Sequence, residues 1–249
     1  NSLTKAYPAY LAEHEKRVKE RDEFRATKNA EILKKLREQV GEYLLAAHAA
    51  APLGDDSKED SLARQRKLDP GVLQRWLRGL EKWKTETNAI FDPWLAFAEL
   101  STNDFNIKAV EVAARLTGQA SELNPLVVGL FTNKVPQNLG EIAERYQKLF
   151  KDVDERWQKA QTAGATNGLP EAHEEALRLV LYSSDFPPRI SAGEIPRIYD
   201  VPTAQRSRAL QRKVEELDAS HAGAPPRAMA LRDNDSPSQP RVFNRGNPN

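Results

Sequence analysis

His173 stands beside Glu171, Glu174 and Glu175, the nearest approach in this sequence to a metal-ligating group. Imidazole and carboxylate together suit a divalent cation. The same residues also open a helix after Pro170, where acidic side chains favour the positive end of the backbone dipole, and that reading competes with a metal. The remaining histidines, His14, His48 and His221, make no i,i+4 pair and no His-Glu-x-x-His spacing. A second candidate is aromatic. Trp76 and Trp83 fall on one helical face with Trp94 nearby, a pattern that suits either a platform for sugar rings or a core, since Leu73, Leu77 and Leu80 share that face. The third is a tail motif, Arg241 with Arg245, Gly246 and Asn247, in which guanidinium and backbone amides could hold a carboxylate or a sugar. A turn closed by a salt bridge accounts for the same residues. No glycine-rich phosphate loop and no Gly-x-Ser-x-Gly elbow occurs.

Bulk numbers narrow the classes further. The chain has 249 residues with Lys+Arg 37 against Asp+Glu 36, a net charge of +1. That balance argues against a nucleic-acid binder, which gathers a basic excess on one face. No apolar run approaches a membrane span. With Cys 0, there is no disulfide, thiol nucleophile, zinc-thiolate site or covalent haem attachment within these residues. The first residue is Asn and no charged segment followed by an apolar run opens the chain, so the expectation is no signal peptide and an interior segment of a longer protein, with a processed mature chain as the alternative.

The elements that must position these candidates are helical. Between Pro8 and Pro52 the chain has no other proline and a single glycine, Gly41, and Lys, Glu, Arg and Ala dominate. This predicts one long helix, roughly 65 Å at about 1.5 Å per residue. Its apolar stripe runs through Leu11, His14, Val18, Ile32, Leu36, Val40, Tyr43 and Ala47, with Arg21, Arg25 and Lys28 weakening the seam in the middle. A polar, partly helical stretch leads to Lys67. Asp69-Pro70 then gives a cap and a first-turn proline for a helix carrying Trp76 and Trp83. Asp92-Pro93 repeats the signal, Ile107 to Leu116 reads as a helix, and Pro125 to Phe131 is a short apolar run. Asn138 with Glu141 resembles a capping box opening a helix to about Ala163. Gly164 and Gly168 break it, Pro170 opens the next, and the prolines of 183–201 predict loop. Pro202-Thr203 starts a last helix with Leu210, Val214 and Leu217 on one seam.

The fold expected is all-α: a long antiparallel coiled-coil-like arm plus a small helical bundle, with a proline-rich irregular C-terminal tail. The divisions expected are 1–51 as a long charged helix, 52–163 as a Trp-containing bundle, 164–222 as helix, loop and returning helix, and 223–249 as extended tail.

Ala224-Pro-Pro-Arg-Ala-Met-Ala-Leu231 followed by Arg241-Val-Phe-Asn-Arg-Gly-Asn-Pro248 resembles a stretch of planctomycete-type multidomain c-type cytochromes that carry domains of unknown function. Phe91-Asp-Pro-Trp-Leu-Ala-Phe97 and Glu175-Ala-Leu-Arg-Leu-Val-Leu-Tyr182 with Pro187-Pro188 agree. The resemblance covers most of the chain after about Glu38 and places it between two uncharacterised conserved domains. It implies a periplasmic or secreted protein with electron transfer linked to polysaccharide breakdown. A haem c module would lie elsewhere in the full-length protein, with no cofactor in this chain.

The function expected is therefore a non-catalytic helical connector whose partners are flanking domains of the same polypeptide, with carbohydrate or a redox partner as further candidates and no nucleic acid. One rival is a carbohydrate-processing or oxidoreductase site completed by other domains, which calls for an open aromatic groove at Trp76, Trp83 or Trp94. The other is a coiled-coil adaptor, which calls for a symmetric dimer through the first helix.

Overall fold

The computed structural model describes residues 2–132, 134–183 and 186–225. They form ten α-helices and one 3₁₀ turn, with no strand among them. The protein is all-α. By contacts, the described parts of Asn1–Arg21 and Arg208–Asn249 form one compact unit and Asp22–Ser207 the other. The chain therefore divides differently from the sequence divisions at 51 and 163, because helices on both sides of those points share one core.

The single helix expected from Pro8 to Pro52 is corrected to two. Helix α1 spans Ser2–Arg37 and carries Pro8 inside it, which removes one backbone hydrogen bond from that turn. After a turn at Glu38 and Gln39, helix α2 spans Val40–Ala50. Gln39 leaves the helical region at φ −114°, ψ 15°. The reason for the break is tertiary. Helix α8, Leu139–Thr162, comes so close that a Cβ on Gly41 would lie 2.5 Å from the Ala143 carbonyl oxygen. The Gly41 amide donates to Gln147 Oε1 at 2.9 Å across the same contact.

Helices α3, Asp56–Gln65, and α4, Pro70–Thr85, pack on α2. Helix α5, Asp92–Ala98, helix α6, Phe105–Gly118, and helix α7, Pro125–Thr132, follow. Helix α9, Ala172–Tyr182, lies against α8. The start signals act where their chemistry places them. Asp69 Oδ1 accepts from the Val72 amide at 2.9 Å, and Asn138 Oδ1 from the Glu141 amide at 2.9 Å. Glu141 reaches back to the Gln137 amide at 2.9 Å, one residue before the partner of a standard capping box. Within the region expected to be loop, Ile195–Ile198 forms the 3₁₀ turn.

Phe91 organises the core of residues 22–207. Its ring stacks on Trp83 at 4.4 Å and 5°, meets Trp76 edge-on at 5.6 Å, and approaches Tyr146 and Phe150. Tyr146 buries its ring and donates its hydroxyl to the Ile90 carbonyl at 2.6 Å. A polar cluster ties three helices together beside this core. Buried Asp154 accepts from Arg37 Nε at 2.9 Å, from the Tyr182 hydroxyl at 2.5 Å and from Gln158 at 2.7 Å. With its lone pairs taken by three donors, the carboxylate satisfies the condition for a stable buried charge.

Helix α10, Val201–Ser220, is the last element described. Leu210, Val214 and Leu217 are buried, as their common seam predicts.

Candidate functional site

Among the described residues, those singled out in the sequence do not form one site. Trp76 is 0% exposed and Trp94 1%, so neither ring offers a face to a sugar. Trp83 keeps partial exposure but covers Phe91 with its ring. These tryptophans line the core, where large aromatic area gives its greatest stabilisation. The carboxylates near His173 are drawn apart. Glu174 pairs with Arg156, while Glu175 takes a two-pronged contact from Arg178 at 2.6 Å and accepts from the Leu169 amide at 2.8 Å. Among the described residues, no group of three His, Asp or Glu side chains is placed to hold a metal ion. Arg241, Arg245, Gly246 and Asn247 lie outside the described residues.

Two arrangements remain that position functional groups. The first is the pairing of α1 with α10 inside the unit formed by residues 1–21 and 208–225. The Tyr10 hydroxyl donates to Asp218 Oδ1 at 2.8 Å, Arg17 Nη1 donates to the Lys213 carbonyl at 2.7 Å, and Arg21 Nη1 donates to Gln211 Oε1 at 3.1 Å. Partner numbers fall along α10 as they rise along α1, so the helices run antiparallel. His14 Nε2 lies 3.6 Å from Asp218, and the Tyr10 ring sits 5.6 Å from the ring of His221. Gly223 touches the Ala6 backbone so closely that no side chain would fit there. The buried member of the α1 stripe here is Tyr10, not Leu11, which stays exposed. Arg21, one of the residues expected to weaken the seam, instead supplies one of its hydrogen bonds.

The second is a cleft of about 590 Å³ within residues 47–99, walled by α2, α3, α4 and α5. Leu77, Leu80, Trp94 and Ala98 supply its hydrocarbon. Glu59, from the first turn of α3, projects into this wall although it is only 7% exposed. Gln74 Nε2 donates to Glu59 Oε2 at 2.6 Å. Asp55 caps α3, accepting from the Ser57 amide at 2.9 Å, and the helix start favours a carboxylate nearby. His48 edges the cleft. Surrounding protein lowers its pKa below the ordinary imidazole value, although part of the ring stays open to solvent. Sequence reasoning missed Glu59. Its only trace in the sequence is the helical spacing with Ala63, the other buried residue of α3.

Among the described residues, no helix is long and apolar enough to cross a membrane. No protein-family model, no curated protein and no solved structure matches this chain.

Proposed function

We propose that this chain is a non-catalytic helical connector, which holds the polypeptide entering at α1 beside the polypeptide leaving at α10. The observation that carries the reading is the antiparallel pairing at Tyr10 and Asp218, reinforced by the close backbone approach of Gly223 to Ala6. A connector of this kind sets the spacing of whatever is attached to it. Its partners are then flanking segments of the same polypeptide. The likeness of the sequence motifs to planctomycete-type cytochromes would make those segments parts of an extracytoplasmic electron-transfer protein. The rival reading, a carbohydrate-processing site, lacks support from the tryptophans, since Trp76 and Trp94 are buried.

The absence of cysteine makes the test direct. Lys5→Cys and Ala222→Cys, both at exposed positions, take one nitroxide each. Electron–electron dipolar spectroscopy should give a single narrow, short-distance population. In Leu210→Asp with Val214→Asp, that population should broaden to longer distances while most helicity by circular dichroism survives. A broad distribution in the unsubstituted chain, or a narrow one untouched by the aspartates, defeats the proposal.

A further inference from the structure

Among the described residues, no cationic side chain pairs with Glu59. Its Oε2 accepts from the neutral Gln74 amide, and among the described residues no hydrogen bond or ion pair reaches Oε1. Oε1 is also not among the sealed, unpartnered polar atoms, which are the Nε1 atoms of Trp76 and Trp157, so it keeps accessible surface within the cleft wall. A nearly buried carboxylate with one neutral donor is expensive unless something supplies a positive charge and further donors. The helix start of α3 offsets part of this and leaves Oε1 without a donor.

The rest of the cleft points the same way. Asp56, Glu81 and Glu99 line it against Arg78 and Lys84, and Lys84 is already engaged by Glu81 at 2.6 Å. Its volume of about 590 Å³ falls in the range of small-molecule sites, roughly 300–1,000 Å³. The hydrocarbon of Leu77, Leu80, Trp94 and Ala98 lies in the same walls.

We propose that this cleft binds a primary organic ammonium, its charged head on Glu59 Oε1 and its apolar body against α4 and α5. An ammonium brings three donors and a full charge to an acceptor-only group, whereas an alcohol brings one donor and no charge. The site is independent of the α1–α10 pairing, so it goes beyond the connector reading and neither stands nor falls with it.

The test uses three probes that share one body: phenethylammonium, 2-phenylethanol and phenylacetate. Titrations of the isotope-labelled chain are followed at the Gln74 side-chain amide signal. Phenethylammonium should shift it saturably, and the other two should bind at least tenfold more weakly. Glu59→Gln should lose phenethylammonium binding at least tenfold while its melting transition stays cooperative. Ala98→Phe, which fills the cleft and keeps the carboxylate, should lose it as well, so the test survives if Glu59→Gln fails to fold. Equal binding of the alcohol, binding unchanged in both variants, or no saturable shift overturns the proposal. The last result would follow if Arg78 swings in to neutralise Glu59 itself.

Discussion

In the core of residues 22–207, Phe91 meets four aromatic rings and keeps no accessible surface, whereas in the unit of residues 1–21 and 208–225 Tyr10 is the one buried side chain that the described part of α1 contributes. The two regions join helices by different mixtures of apolar burial and hydrogen bonding. The core relies on apolar area and close packing, which lose energy steeply when an atom is removed. The terminal pair has a narrower apolar seam, Leu210, Val214 and Leu217 with Tyr10, and adds hydrogen bonds from Tyr10, Arg17 and Arg21, each with modest net value because water competes for the same groups. The core should therefore unfold as a block, and the pair should open locally at lower free energy.

The largest expected effect is in the core. Phe91→Ala removes the ring that links Trp76, Trp83, Tyr146 and Phe150 and should destabilise residues 22–207 by about 3–5 kcal/mol in urea unfolding. A loss below about 1 kcal/mol would mean that the rings are not cooperatively packed. A smaller effect belongs to the pair. Tyr10→Phe deletes the hydroxyl that donates to Asp218 and should weaken the unit by about 1 kcal/mol. Amide exchange should accelerate around 210–220 and stay unchanged in α8, and equal acceleration in both would erase the distinction between the regions.

The smallest effect concerns Glu141. The Gln137 amide and then the Arg145 guanidinium hold its carboxyl at about 2, well below the ordinary value of 4.5. A carboxyl depressed in the folded state binds fewer protons there than in the unfolded chain. Its contribution is thus complete above about pH 4.5 and is lost as pH falls toward about 2. Because solvent reaches this ion pair, its share is about 0.5 kcal/mol. Wild type should lose slightly more stability than Glu141→Gln over that window in urea melts, and parallel profiles would remove Glu141 from the account.

Much of the helical framework was legible in the sequence. Asp69 and Asn138 announce α4 and α8 because a short polar side chain at an N-cap answers an amide only a few residues away. The seam of Leu210, Val214 and Leu217 is legible because helical period alone puts those residues on one face. The break before α2 was not legible. Glu38 and Gln39 are ordinary helix formers, and the turn exists because Gly41 must reach the Ala143 backbone. Nor did period decide which way the tryptophans point. Trp76 and Trp83 share a helical face, yet Trp76 is sealed and Trp83 lies at its edge, according to what Phe91 leaves uncovered.

The sequence by itself determined that the chain is helical, where most helices start and which faces turn inward, since caps, prolines and period act over a few residues. Only the tertiary structure decided that Tyr10 meets Asp218, that the first helix yields at Gln39, and that Glu59 sits in an apolar wall with Gln74 as its neighbour. Those facts depend on residues brought together from distant parts of the chain. Close packing and the burial of charge are set by that three-dimensional neighbourhood, which local propensity does not encode.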